Sequence, residues 1–176
     1  MSWRPLERAL VQLPEFSPSA LLAQLISGDV DFVVIGGIAA VAHGSPTLTR
    51  DLDVCYATDD ENLRRLGDVL VGLGARLRGV AEDVPFVPDG RTLRHTQVLT
   101  LDTSLGPLDV LAAPSGFPGY PALLQRADVR DFQGIVVRIA SLEDLIAMKR
   151  AAGRPKDLIA VEELEAIQRI LREEPA

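Results

Sequence analysis

The sequence is short of several things that common functions need. It has one cysteine, Cys55, which excludes an intramolecular disulfide and a multi-cysteine zinc site and points to a reducing, cytoplasmic setting. It has two histidines, His43 and His95, too few to favour a poly-histidine metal centre. Basic residues are outnumbered, 18 against 25 acidic, for a net charge of −7. That balance argues against binding nucleic acid through bulk positive charge. No apolar run approaches the roughly 20 residues of a membrane span; the longest, Phe32 to Ala42, is interrupted by Gly36-Gly37. Residues Met1 to Arg8 are charged and no apolar stretch follows, so no secretory signal is expected. Internal repeats, low-complexity segments and long linkers are missing too.

What is present is enough apolar material for a core. Of 176 residues, 47% are hydrophobic, consistent with a single domain, 1–176. A chain near this length buries roughly two thirds of its unfolded surface. Residues 3–13 and 18–27 read as helices, the second with Pro18 in the first turn and Ser17 as its cap. Phe32 to Ile35 is a short β-branched run and predicts a buried strand. Gly36-Gly37 ends it, and Ile38 to His43 predicts a short helix. Asp51 to Tyr56 alternates: Leu52, Val54 and Tyr56 share one face, Asp51, Asp53 and Cys55 the other. Thr58-Asp59-Asp60-Glu61 reads as a capping box ahead of a helix with the stripe Leu63, Leu66, Leu70, Leu73. Strands are expected over 76–80, 96–101, 108–111 and 135–139. Pro114, Pro118 and Pro121 mark a loop before a short helix. Ser141 caps a helix to about Ala152, Gly153 and Pro155 break it, and a last helix runs from Pro155 to about Arg172. Strands bunched between 76 and 111 favour α+β over a doubly wound parallel sheet.

Three pieces carry possible chemistry. Glycines between a strand and a helix let backbone amides approach an anion at the helix N-terminus; a tight turn needing glycine only for packing is the bland alternative. Asp51 and Asp53 lie on one strand face, roughly 7 Å apart along a backbone rising ~3.3 Å per residue. Such carboxylates repel unless a cation sits between them, and hard oxygens suit Mg²⁺. The alternative is a solvated face of an edge strand. Asp109 interrupts the apolar run Leu108-Asp109-Val110-Leu111, where a charge is costly unless paired or metal-bound; a wet sheet face is the alternative, and Asp102 is a rival acid. The lysines add a fourth hint. The chain has 16 arginines but only Lys149 and Lys156. Lys149 falls on the inward stripe Leu142, Leu145/Ile146, Lys149, and an ammonium serves as a phosphate-binding point charge. Asp157 begins the stripe Asp157, Ala160/Val161, Leu164, although an acid in a first turn also stabilises a helix end. Lys156 reads as solvated.

Gly36-Gly37, Asp51-x-Asp53 and the later Asp109 together resemble the nucleotidyltransferase superfamily, with its DNA polymerase beta-like fold. The tail Ser141-Leu142-Glu143-Asp144-Leu145-Ile146-Ala147-Met148-Lys149 through Gly153-Arg154-Pro155-Lys156-Asp157 resembles small bacterial nucleotidyltransferase-like proteins that include AbiE-type toxins of toxin–antitoxin systems. The match covers roughly residues 30–165. The resemblance implies a mixed, bent sheet flanked by helices, with a core over 28–140 and C-terminal helices over 141–176 completing the site. It implies that Asp51, Asp53 and Asp109 hold Mg²⁺, two ions with bound NTP, and that Asp109 helps deprotonate an acceptor hydroxyl. Gly36, Gly37, Thr49, Arg50, Lys149 and Asp157 would form the nucleotide site, with Lys149 also catalytic. The implied reaction transfers a nucleoside monophosphate from NTP to a hydroxyl, the acceptor being RNA such as a tRNA 3′ end and the partner an antitoxin protein. A small-molecule or protein acceptor, a non-catalytic nucleotide-binding module, and a hydrolase using the same carboxylates are the alternatives. Two positions depart from the pattern. Glycine stands at Gly37 where many members carry serine, and Thr47 stands where many toxin-like members carry arginine; Arg50, Arg91 and Arg94 are the possible substitutes. Cys55 is expected to be unreactive because acidic neighbours raise its pKa. His43 is expected to pack or cap in the helix after the glycines.

Overall fold

The computed structural model describes residues 15–81 and 84–173; the helix expected over 3–13 lies outside them. Seven strands form one mixed sheet in the order β3-β4-β5-β2-β1-β7-β6. In chain order the elements are α1 (Pro18–Ser27), β1 (Phe32–Ile35), α2 (Gly36–Ala42), β2 (Leu52–Tyr56), α3 (Asp60–Gly72), β3 (Arg76–Leu77), α4 (Gly90–Arg94), β4 (Val98–Thr103), β5 (Gly106–Leu111), α5 (Tyr120–Leu124), β6 (Asp128–Phe132), β7 (Ile135–Ile139), α6 (Leu142–Ala152) and α7 (Pro155–Glu173). This is the expected α+β architecture, a mixed sheet flanked by helices with a helical C-terminal end. Among the described residues, no helix is long and apolar enough to cross a membrane.

The sheet places the acid-bearing strand in its interior. β2 pairs antiparallel with β1 and parallel with β5. Leu52, Val54 and Tyr56 are buried as the alternation predicts. The solvated edge strand, the bland reading of Asp-x-Asp, is therefore wrong. Leu63, Leu66, Leu70 and Leu73 are all buried along α3, each worth about 1.5–3 kcal/mol on the transfer scale. That stripe is what holds α3 on the sheet.

Several local expectations need correction. The cap of α3 is Asp59, whose side chain accepts from the Asn62 amide; Thr58 stands one residue too early. Ser17 sits at the cap of α1 but makes no side-chain bond there. The strand expected over 76–80 is only Arg76–Leu77, and Gly79, at φ +74°, turns the chain away. β4 lies two residues later than expected and β5 begins at Gly106. Strand β6 and helix α4 were not anticipated. β6 carries Arg130 and Asp131 on the sheet edge and has little apolar signal of its own; it forms by antiparallel pairing with β7. Ser141 caps α6 by accepting from the Asp144 amide, and Gly153 ends it in the left-handed region at φ +64°.

Candidate active site

The sheet register brings the acids together. Asp53 and Asp109 are paired across β2 and β5, and Asp51 lies just before β2 on the same face as Asp53. Among the described residues, Asp51, Asp53 and Asp109 each offer a carboxylate oxygen to a group whose atoms lie within 4.8 Å of one another. Asp53 is pushed up from the ordinary 3.8 to about 7, first by burial and then by the charges of Asp51 and Asp109. Lys149 and the Gly37 amide, which donates to its carboxylate, partly offset this. Burial raises Asp109 as well, with Arg78 offsetting it in part. These crowded, partly desolvated carboxylates carry more negative charge than Arg78 and Lys149 offset, and a divalent cation bound by hard oxygens supplies the balance. The donor set therefore fits Mg²⁺.

The glycine turn is tailored to this cluster. Gly36 adopts φ +65°, and a Cβ there would overlap the Asp53 carboxylate. A Cβ on Gly37 would come within 2.5 Å of Thr49 Oγ1. Neither glycine tolerates a side chain without moving the site. Thr49 donates from Oγ1 to Asp51 Oδ1 at 3.1 Å and to the Asp51 carbonyl at 3.2 Å, so it orients an acid. The turn before it is braced by α7: Ser45 donates to Glu163 Oε1, and Thr47 Oγ1 donates to Glu163 Oε2 at 2.9 Å. The position where toxin-like proteins carry arginine here makes a strut.

The C-terminal helices supply positive charge. Asp157, 2% exposed at its side chain, accepts from Arg154 Nε at 2.5 Å and Nη2 at 3.2 Å, and its Oδ1 lies 3.7 Å from Lys149 Nζ. The bond to Arg154 holds Asp157 below the usual carboxylate range. Lys149 and Arg154 both act electrostatically on Asp53, so the helix cluster and the strand cluster face one site. Arg154 was not singled out by the sequence, where it is one arginine among 16.

Arg78 is the second residue the sequence did not reveal. Its Nη2 donates to Asp109 Oδ1 at 2.8 Å, its Nε to Asp102 Oδ1 at 3.2 Å, and its Nη1 lies 3.9 Å from Asp51 Oδ2. The rival acid Asp102 is thus the outer partner of Arg78 and stands apart from the triad. The remaining candidates lie elsewhere or do other things. Arg50 and Arg91 are exposed, and Arg94 pairs with Asp60 at 2.6 Å. Lys156 is exposed as expected. His43 is buried at the end of α2 with Nε2 2.9 Å from the Ala140 carbonyl, a packing role. Cys55 is fully buried, and burial pushes its thiol up to about 12. The expected inertness holds, but burial causes it rather than the neighbouring acids.

No protein-family model matches the chain, and no curated protein matches its sequence. Solved structures do match the fold. The lincosamide antibiotic adenylyltransferase LnuA superimposes with a TM-score of 0.57 at 14% identity, over 84% of this chain and 94% of that one. The antibiotic-resistance factor ANT(2'')-Ia gives 0.51 at 17% identity, over 86% and 87%. A candidate nucleotidyltransferase from Thermotoga maritima gives 0.50 at 15% identity, over 92% and 98%. The chain has the nucleotidyltransferase fold.

Proposed function

We propose that the protein is a Mg²⁺-dependent nucleotidyltransferase that moves a nucleoside monophosphate from NTP to an acceptor hydroxyl. The observation that carries this reading is the convergence of Asp51, Asp53 and Asp109 beside the Gly36-Gly37 turn, on a fold shared with nucleotidyltransferases. Asp51, Asp53 and Asp109 hold the metal, which when bound offsets charge on the attacking and leaving oxygens. The Gly36 and Gly37 turn, Lys149 and Arg154 bind the triphosphate, with Asp157 fixing both cations. Thr49 sets the Asp51 carboxylate, and Arg50 lies at the rim. The acceptor oxygen attacks the α-phosphorus, the bond to pyrophosphate breaks, and Asp109 takes the hydroxyl proton. The chain supplies position and charge and forms no covalent intermediate. In this reading residues 28–140 are the core, 141–176 complete the site, and the setting is the NTP- and Mg²⁺-rich cytoplasm.

The acceptor we favour is a small hydroxylated molecule. LnuA is an adenylyltransferase of lincosamide antibiotics, and the net charge of −7 suits a small acceptor better than a polyanion. An RNA acceptor with an antitoxin partner rests on the resemblance of the 141–157 tail to toxin-like proteins. The test is incubation with α-labelled NTPs and Mg²⁺, with either a panel of lincosamides and aminoglycosides or total RNA. Labelled small molecule is the expected product, and Asp53→Ala is expected to abolish it. Labelled RNA instead transfers the protein to the toxin-like class. Transfer that survives Asp53→Ala, or no transfer to any acceptor alongside intact NTP binding, removes the proposed catalytic site.

A further inference from the structure

The proposed reaction leaves Arg78 without a task, although it touches more of the acid cluster than any other cation among the described residues. Its base is fixed: the Arg78 amide donates to the Thr100 carbonyl at 2.9 Å, extending the β3–β4 pairing past Leu77. Its head divides its contacts into two sets. Toward the triad, Nη2 donates to Asp109 Oδ1 at 2.8 Å and Nη1 lies 3.9 Å from Asp51 Oδ2. Away from it, Nε donates to Asp102 Oδ1 at 3.2 Å and Nη2 to the Leu101 carbonyl at 2.9 Å. Two of the three proposed metal ligands therefore already have a positive partner. A carboxylate lone pair engaged by a guanidinium is not free for a metal, and a fixed positive charge repels a divalent ion at this range. The outer contacts do not depend on the triad, and the side chain is 31% exposed, so the head has room to shift while it stays tethered.

We propose that Arg78 is a built-in counter-ion of the triad: it competes with the divalent metal for Asp109 and Asp51, and passes to Asp102 and the Leu101 carbonyl when the metal enters. The proposal rests on the metal-site reading above. It makes the nucleotide-free protein a weak binder of metal alone. Retention of the ion is then tied to NTP, whose phosphates add ligands. A latch closed about nine-tenths of the time raises the apparent Kd about tenfold.

The experiment is titration with Mn²⁺ alone, without nucleotide, followed by the EPR signal of the free ion. The proteins are wild type, Arg78→Gln, Arg78→Lys and Asp53→Asn, each checked for folding by circular dichroism. Arg78→Gln is expected to bind Mn²⁺ about fivefold or more tightly than wild type, and to gain more in Tm on adding Mn²⁺. Arg78→Lys is expected between the two, since a point charge keeps the repulsion but loses the fork. Equal or weaker binding by Arg78→Gln overturns the latch. If that variant does not fold, equal or weaker binding by Arg78→Lys overturns it instead. Asp53→Asn is expected to lose Mn²⁺. If it binds like wild type, or if no protein of the series binds, the metal-site reading itself has failed.

Discussion

Asp53 on the central strand and Asp157 at the start of α7 are both withdrawn from water, yet they are in opposite electrical settings. Asp53 is pushed up to about 7, first by burial and then by the acids beside it. Asp157 is gripped by Arg154, has Lys149 near, and is held below the ordinary range. The strand side of the site carries surplus acid, and the helix side carries two cations on one acid. Each half is unbalanced by itself. Together, under the proposed function, they would suit a ligand that is a cation bound to a polyanion, which is how a metal–nucleotide complex is charged.

The comparison can be broken most sharply at Gly36. Gly36→Ala puts a methyl into the Asp53 carboxylate at a positive φ, and the left-handed backbone alone costs about 1–2 kcal/mol. We expect a lower Tm and a loss of transfer of at least about 100-fold, since small misplacements at a reacting centre have that effect. Near-wild-type transfer by this variant means that Asp53 does not need its present position. On the helix side, Lys149→Ala and Arg154→Ala should each raise KM for NTP roughly 10- to 100-fold, the worth of one charge-assisted hydrogen bond. Unchanged KM in both detaches the helix cations from the nucleotide. The last effect is on stability against pH in metal-free protein. The native state binds Asp53's proton more tightly than the unfolded chain does, so its contribution to stability is full below the ordinary carboxylate pKa and is lost as pH rises to about 7. The loss is up to roughly 4 kcal/mol. Asp157 works the other way: its contribution is present above the ordinary carboxylate pKa and disappears only in stronger acid. Thermal melts from pH 4 to 8 should therefore decline without metal and flatten with Mg²⁺; a flat metal-free profile means that burial and the neighbouring acids do not hold the Asp53 proton.

The strand side was the more legible half. Asp51 and Asp53 were visible because alternation puts them on one face, and Asp109 because a charge interrupts an apolar run. Their meeting was not visible, since it depends on β2 and β5 pairing in parallel register across 55 intervening positions of chain. Lys149 stood out because lysine is rare here, and Asp157 because it begins a buried stripe. Arg78 and Arg154 had no such mark. Arginine is common in this sequence, and what distinguishes these two is the acid each one reaches. β6 and α4 escaped for a related reason: a polar edge strand and a five-residue helix have too little periodicity of their own, and tertiary pairing decides them. The misplaced cap at Thr58 shows the same limit at short range, because Asp59 beside it is at least as good a cap and it is Asp59 that accepts from the Asn62 amide.

The three carboxylates are not held alike. Those of residues 53 and 109 ride on hydrogen-bonded ladders in the middle of the sheet, whereas Asp51 belongs to the segment before β2, which is hydrogen-bonded to α7 through Ser45, Thr47 and Glu163. The site resembles a vice with two fixed faces and one sliding jaw. Anything that loosens the last helix, whether heat, truncation or a partner docking on its outer side, slackens that jaw and the Asp157 grip on Lys149 and Arg154, while the strand ladders under residues 53 and 109 stay paired.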